Sequence, residues 1–366
     1  MKTPLAFILS LGLLSLASCE PEKKPKPPKP KSETTKRNTS GENITDEEFA
    51  EAKTLKKFTD SVQKEIDTYR STVRGHFNDC RFDELENLAS EARDSKEIFN
   101  NGSWKIAQFY SALDCLEDQE DTWERHDTIY QAWLDAKPDS VSAHIAYAQY
   151  YVNYAWHARG TGYADTVTAE GWRLMKQRLE KAFRLLGEAR LLKEKDPFWG
   201  SVALTVALGQ GWSEQVYADL MKDLHENHPG YWGYDVARAY SLLPRWYGEE
   251  GDWEKYAEER SNIPDGLGDE LYARIIIGQH GFFGSIFRES KASWPRTKNG
   301  LEILRKKYPD SVELLAFSAK ISAIAMDRKT AQPLFEELGD RYISSVWREK
   351  PERMIHMRTW ARTGKW

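Results

Sequence analysis

The sequence predicts an all-α fold, an irregular α-solenoid of antiparallel helix pairs, over residues 45–366. Apolar residues recur at three- and four-residue steps along most of this stretch, the spacing that places side chains on one face of a helix. The strict alternation that is typical of a half-buried β-strand is almost absent. No internal domain boundary is indicated, so the pattern favours one continuous array of helices.

Breaks between the predicted helices recur along the chain with a regular spacing. Pro-Asp-Ser-Val occurs at residues 138–141 and again at 309–312. The separation of 171 residues is close to five periods of about 34 residues, the length of a tetratricopeptide repeat. Loops at residues 247–252 and 278–293 interrupt this period. The solenoid is therefore expected to be tetratricopeptide-like but irregular.

The N-terminus has the features of a bacterial lipoprotein signal peptide, expected at residues 1–18. Lys2 supplies a positive charge, and residues 5–16 form an apolar run that is too short to span a bilayer. Residues 16–19 read Leu-Ala-Ser-Cys and resemble a lipobox, whose cysteine thiol receives a diacylglycerol. We expect cleavage before Cys19, lipidation of this cysteine, and anchoring in the cell envelope rather than a place in the cytoplasm. The alternative is an ordinary secretory signal with an incidental cysteine.

The stretch that begins at Cys19, residues 19–44, is expected to be a disordered tether. Residues 20–38 read EPEKKPKPPKPKSETTKRN, with no aliphatic or aromatic side chain to bury and seven basic against three acidic residues. Alternating prolines extend a chain, which favours a spacer between the membrane and the folded part. Contact with anionic lipid headgroups is the alternative interpretation.

The predicted folded part is acidic. The whole chain has 52 Lys and Arg against 57 Asp and Glu. Without Lys2 and residues 20–38, 44 basic and 54 acidic residues remain, a net charge of −10. Because phosphates require a basic surface, this balance argues against a nucleic-acid partner.

Helix signals follow one another from Thr45 onward. Residues 45–48 have the form of a capping box, and a charged amphipathic helix is expected to run from there towards Arg74. Near the C-terminus, Thr330 is expected to cap a helix that carries Pro333 in its first turn. Further apolar helix faces lie at residues 82–92, 104–116, 123–133, 141–152 and 172–189.

Two further cysteines, Cys80 and Cys115, are available for a disulfide outside the cytoplasm. Cys80 lies at the start of one predicted helix and Cys115 near the end of the next, so the two lie at the same level of an antiparallel pair. A disulfide and two separately buried thiols are equally consistent with this arrangement.

Motifs for catalysis and for metal binding are not found in the sequence. It contains no His-Glu-x-x-His, no Gly-x-Ser-x-Gly, no phosphate-binding glycine loop and no paired Cys-x-x-Cys. His225 and His228 share a helix face, but Pro229-Gly230 follows, and the helix dipole favours histidine at a helix C-terminus. No catalytic residue, metal ligand or cofactor is therefore predicted.

The most unusual segment is residues 151–172, which read YVNYAWHARGTGYADTVTAEGW. An aromatic helix end leads into a glycine-rich turn, after which Thr168 can cap the next helix. One interpretation is a groove where aromatic faces stack on a ligand and Arg159 pairs with a carboxylate or carbonyl. The other is a tight turn with a capping arginine and core aromatics. The candidate binding residues are Tyr151, Tyr154, Trp156, Arg159 and Tyr163.

A second segment, residues 242–253, has the same character. Arg245 and Trp246 stand beside Tyr247 ahead of a glycine-rich loop, so stacking on a ligand is again one interpretation. A helix end followed by the N-cap of the next helix, Asp252, explains the residues equally well. Equivalent turns of a superhelix line up along one edge, an arrangement in which both segments would border one surface.

Four stretches carry a family resemblance. FDELENLASEAR, GSWKIAQFYSAL, YAWHARGTGYADTV and LPRWYGEEGDWEKYA resemble the bacterial family called domain of unknown function 4034. The resemblance extends over about residues 55–290, and AWHARGTGYA is its most specific part. Residues 291–366 resemble generic helical repeats only. The resemblance implies no activity, cofactor or catalytic residue.

Three hypotheses about function follow. The first is a lipid-anchored scaffold that binds protein or peptide partners, because solenoids present extended concave surfaces. The second is recognition of cell-wall glycan, which the many tryptophans and tyrosines make conceivable. The third is an uncharacterised wall-active enzyme, which would require a titratable group with a perturbed pKa inside a cleft. The absence of a catalytic motif favours a protein that is not an enzyme.

Overall fold

The computed structural model describes residues 44–115, 120–160, 162, 164–192 and 195–366, and the described chain is all-α. Those residues form eighteen α-helices and two short 3-10 helices, with no β-strand among them. The predicted signal peptide, Cys19, almost all of the tether and Tyr163 lie outside the described residues. The first nine helices are α1 (Asp46–Ala52), α2 (Ser61–Asn78), α3 (Phe82–Ser95), α4 (Lys105–Leu113), α5 (Glu120–Ala136), α6 (Val141–Arg159), α7 (Ala169–Leu191), α8 (Phe198–Gln210) and α9 (Glu214–Asn227).

The second half of the chain continues as shorter helices joined by tight turns. Within the described residues, none of the helices combines the length and the apolar character that crossing a bilayer requires. The remaining nine helices are α10 (Gly233–Ser241), α11 (Asp252–Ser261), α12 (Asp269–Gln279), α13 (Ile286–Glu289), α14 (Trp294–Lys307), α15 (Val312–Ile324), α16 (Arg328–Leu338), α17 (Ser344–Trp347) and α18 (Pro351–Thr363).

Neighbouring helices pack antiparallel, as predicted, and α6 with α7 forms the most extensive pair. The Arg178 guanidinium donates to the Tyr154 carbonyl at 2.8 Å, and one turn further along α7 the Lys181 ammonium donates to the Tyr151 hydroxyl at 3.3 Å. Residues 141–148 of α6 are all buried. A helix that is buried on every side lies inside the fold, so α6 is a central helix of the array.

The two Pro-Asp-Ser-Val copies play the same structural role. The Ser140 hydroxyl accepts the Ala143 amide at 2.9 Å at the start of α6, and Ser311 accepts the Leu314 amide at 3.2 Å at the start of α15. In each copy the proline and aspartate end the preceding helix and the serine caps the next one. The prediction that these motifs mark breaks between helices is confirmed.

The prediction of one helix from Thr45 towards Arg74 is wrong. The capping box at Thr45 and Glu48 forms as expected, but α1 ends at Ala52 and α2 begins at Ser61. The intervening segment is extended, and the Phe58 amide donates to the Tyr342 carbonyl at 2.8 Å. Contacts with residues almost three hundred positions away in the chain stabilise this break. The spacing of apolar residues within the segment cannot predict such contacts.

The predicted cap at Thr330 is also wrong. Helix α16 begins two residues earlier, and the Asp327 carboxylate accepts the Thr330 amide at 3.1 Å as its N-cap. Pro333 therefore lies inside the helix rather than in its first turn. Because proline has no amide hydrogen, the Lys329 carbonyl loses its usual helical donor.

The first described helix packs on the last one. The Glu48 carboxylate lies 3.1 Å from the Nδ1 atom of His356, and both side chains are buried. Glu51 of α1 pairs with Arg358 of α18 at 2.6 Å, and Leu55 packs against the core of the C-terminal helices. The segment 45–60 thus fastens the beginning of the helical array to its end. We call this segment the N-terminal strap.

Candidate functional site

The two aromatic segments singled out in the sequence meet in space. The rings of Trp156, at the end of α6, and Trp246, in the loop after α10, pack edge to face with their centroids 5.6 Å apart. The Arg159 guanidinium lies 5.5 Å from each of these two rings and 5.6 Å from that of Trp172. We call this surface the aromatic–arginine cleft, and it comprises Trp156, Arg159, Trp172, Tyr240, Arg245, Trp246, Tyr247 and Phe282.

A small apolar cavity opens beside Trp156. Its volume is about 240 Å³. Helices α8 and α10 supply most of its wall, and α8 packs against both α6 and α10. It is lined by Trp156, Leu204, Thr205, Leu208, Ala237 and Tyr240. The lining is mainly apolar, and its hydroxyl groups are those of Thr205 and Tyr240. The cavity therefore suits an apolar ligand group.

The rim of the cleft exposes aromatic surface to solvent. Trp172 is 39 % exposed, Tyr247 is 53 % exposed and Phe282 is 42 % exposed. These three make up half of the large aromatic side chains that are exposed in the described part of the chain. Contiguous exposed apolar surface marks a binding surface more often than a scatter of single residues does.

The guanidinium groups of Arg159 and Arg245 flank the cleft, and each has N–H groups without an acceptor among the described residues. The Nη1 atom of Arg159 donates to the carbonyls of Gly160 at 3.2 Å and Gly162 at 3.0 Å, so this arginine also holds the turn after α6. Its Nε and Nη2 groups have no acceptor among the described residues. Arg245 is exposed, lies 5.6 Å from the Trp246 ring and 5.5 Å from the Phe282 ring, and has no carboxylate partner there. The structure thus shows the capping interpretation of Arg159, and its role in ligand binding stays a prediction.

Tyr151 and Tyr154 do not line this cleft. Successive helix residues are about 100° apart, so Tyr154 and Trp156 point to nearly opposite sides of α6. The Tyr151 hydroxyl donates to Asp127 at 2.8 Å, while the Tyr154 ring stacks on Trp123 at 4.7 Å. Burial raises the pKa of each tyrosine to about 12, so both remain neutral donors inside the packing between helices.

A buried polar network lies elsewhere in the structure and escaped the sequence analysis. The Asp196 carboxylate accepts the Tyr110 hydroxyl and the Phe198 amide, both at 2.8 Å. The Arg93 guanidinium lies 3.8 Å from the same carboxylate and donates to the Ser142 hydroxyl at 3.2 Å. These groups come from α3, α4, α6 and the start of α8. Their one sequence signal is Arg93, which shares a helix face with otherwise apolar residues.

A second cavity of about 300 Å³ opens beside this network. Asp196, Arg190, Asp223, Trp199 and His228 contribute to its wall. Arg190 is paired with Asp223 at 2.9 Å, and both oxygens of Asp196 already accept hydrogen bonds. The charged groups thus satisfy one another, which fits a role in joining four helices.

The contribution of Asp196 to stability is expected to fall as pH rises through the titration of its carboxyl. Burial raises the pKa of this carboxyl to about 6, above the unfolded value of about 3.9. Between these values the folded state binds more protons, so unfolding becomes easier as pH rises, by on the order of 2 kcal/mol. Burial also raises the pKa of Asp114 to about 6, which acts in the same direction. Urea unfolding from about pH 4 to 7 should show Asp196→Asn gaining stability relative to wild type as pH rises, by on the order of 2 kcal/mol; a constant difference between the two proteins would contradict this assignment.

Of the histidines and cysteines considered in the sequence, His228 lines the second cavity, and His225, Cys80 and Cys115 line neither cavity. The Nε2 atom of His225 lies 3.2 Å from Asp235, and His228 ends α9, as expected of a helix terminus. The described residues contain no group of three His, Cys, Asp or Glu side chains placed to hold a metal ion. Cys80 and Cys115 follow α2 and α4, which pack side by side; Cys80 is exposed, so the alternative of two separately buried thiols is wrong for this residue, and the disulfide stays a prediction.

Comparison with known proteins finds a family match over part of the chain. Residues 69–205 match the family described as Domain of unknown function (DUF4034). The match is shorter than the expected span of 55–290 and leaves Arg245 and Trp246 outside it. No curated protein and no solved structure matches the chain. The matched stretch includes Trp156, Arg159 and Trp172 of the cleft, and the other cleft residues follow it in the chain.

Proposed function

We propose that this chain, which carries a DUF4034 domain, is an envelope lipoprotein that binds a protein or peptide partner at the aromatic–arginine cleft. The observation that carries the proposal is the meeting of Trp156, Arg159 and Trp246 beside an apolar cavity, with further aromatic surface exposed on the rim. Binding hot spots are enriched in tryptophan, tyrosine and arginine. The lipobox-like residues 16–19 and the tether that follows would hold this scaffold at a membrane.

The shape of the site favours a peptide over a sugar polymer. A cavity of about 240 Å³ lies below the volume range of about 300–1,000 Å³ that is typical of small-molecule pockets, and its walls are mainly apolar. A hydroxyl-rich sugar ring would lose hydrogen bonds to water there without replacement. An apolar side chain of a partner loses nothing by the same transfer and gains by burial.

Replacement of Trp246 by alanine is expected to weaken partner capture at least about tenfold, because its ring packs against Trp156, Arg159 and Arg245 at once. The measurement is a crosslinked pull-down from solubilised envelopes with the full-length chain. Phe49→Ala is the matched control, since Phe49 is 44 % exposed on α1, away from the cleft. Variants are compared at equal thermal stability.

Equal capture by wild type and Trp246→Ala would remove the cleft from the proposal. A different result would be that wild type captures no protein but binds isolated cell-wall sacculi, and that Trp246→Ala loses this binding. The ligand of the cleft would then be a glycan and not a peptide. Loss of capture in both Trp246→Ala and Phe49→Ala would point to a general effect on the fold.

A further inference from the structure

We infer that the partner segment bound at the aromatic–arginine cleft is acidic, with a carboxylate next to an apolar side chain. This inference rests on the proposed function and adds the chemical class of the ligand. It comes from the two guanidiniums at the rim, Arg159 and Arg245, and from their position beside the apolar cavity.

The cleft is locally basic, although the chain around it is acidic. Residues 39–366 carry a net charge of −10, and many arginines outside the cleft pair with a carboxylate. Arg159 and Arg245 both lie within 5.6 Å of the Trp246 ring and have no carboxylate partner in the described residues. Paired examples are Arg190 with Asp223, Arg260 with Asp235, Arg274 with Glu270 and Arg296 with Asp269, at distances of 2.7–2.9 Å.

The free donors have a geometry suited to carboxylates. The Nη1 atom of Arg159 is held by two backbone carbonyls, which fixes the plane of the guanidinium and leaves its Nε and Nη2 groups unused. A planar guanidinium with parallel N–H groups binds a carboxylate through two hydrogen bonds. The surrounding indole rings keep water from part of this space, which strengthens an ion pair relative to one in bulk solvent.

The apolar cavity indicates which chemical group accompanies the carboxylate of the ligand. It lies beside Trp156, whose ring also contacts the Arg159 guanidinium, so an apolar group in the cavity and an anion on the guanidinium are neighbours. Adjacent residues of one peptide place an acidic and an apolar side chain within this reach. A free carboxylate without an apolar neighbour would leave the cavity empty and gain only the ion pair.

The test is selection of random displayed peptides against the full-length chain in detergent micelles. Peptides whose binding is lost with Trp246→Ala are expected to carry Asp or Glu next to Leu, Ile, Phe or Trp. Their affinity for Arg245→Gln should be on the order of tenfold lower, since charge-assisted hydrogen bonds are lost. Lys222→Gln removes the same charge from an exposed side chain of α9 and should change nothing.

Added salt should weaken these peptides for wild type more than for Arg245→Gln. Selected peptides that depend on Trp246 but lack acidic residues, or that bind Arg245→Gln as well as wild type, would overturn the inference and leave the proposed function standing. A selection that yields no peptide dependent on Trp246 would overturn both. A general loss of folding is excluded by equal thermal stability of the variants.

Discussion

Arg274→Leu is expected to lower the free energy of unfolding by about 3 kcal/mol, the largest effect among the substitutions considered. Arg274 is buried in α12, and its Nη2 and Nε atoms donate to the Glu270 carboxylate at 2.9 and 3.1 Å. Removal of the guanidinium leaves Glu270 buried, with Lys307 at 3.3 Å as its remaining cation. A buried carboxylate that has lost its main partner is strongly destabilising.

The same arginine joins distant parts of the chain. Its guanidinium lies 4.5 Å from the Trp232 ring, and its Nη1 atom donates to the Gly102 carbonyl at 3.4 Å. Gly102 has a φ of +82°, and a Cβ atom there would stand 2.5 Å from the Arg274 side chain. Glycine is thus required at this point both for its backbone conformation and for the close approach of the guanidinium.

Urea unfolding of matched variants measures the effect. Arg305→Leu is the control, because its pair with Glu337 is largely exposed and should contribute less than about 1 kcal/mol. Replacing Glu270 and Arg274 together by leucine removes both charges and should recover much of the loss. A drop for Arg274→Leu no larger than that for Arg305→Leu would contradict the assigned role.

The helices could be predicted from the sequence where neighbours in the chain decide them. Ser140 and Ser311 start their helices through hydrogen bonds to residues three positions away, and Thr168 does the same. The break after Ala52 could not be predicted, because the extended segment is stabilised by Tyr342 and other C-terminal residues. The likeness to tetratricopeptide repeats stays a prediction, while the all-α fold of helix pairs is confirmed.

The candidate site was predictable in part, for a similar reason. Arginine beside aromatics around glycine-rich turns pointed to Trp156, Arg159 and Trp246, and the packing of α6 against the following helices brings them together. Tyr154 was grouped with Trp156 because the two are close in sequence. Two residues along a helix turn the side-chain direction by about 200°, so the two rings point to nearly opposite sides of α6. The Asp196 network was out of reach because its members are scattered singly over a hundred residues and meet only in the folded chain.

Asp60→Ala is expected to lower the free energy of unfolding by about 2–3 kcal/mol. One oxygen of this buried carboxylate accepts the Gln63 amide at 2.7 Å and caps α2, and the other accepts the Val312 amide at 2.8 Å at the start of α15. Alanine would remove a helix cap and leave a buried amide without an acceptor. The two losses add because they affect different helices.

The size of the loss in unfolding free energy shows whether Asp60 also holds the N-terminal strap against α15 or only caps α2. Ser213→Ala is the control, because Ser213 caps α9 at an exposed position, so about 1 kcal/mol or less is expected. Trypsin cleavage after Lys56 and Lys57, in the extended part of the N-terminal strap, should become faster in Asp60→Ala only. If both variants lose equal stability and resist trypsin equally, Asp60 acts as a cap alone and other contacts, such as Glu48 with His356, hold the strap in place.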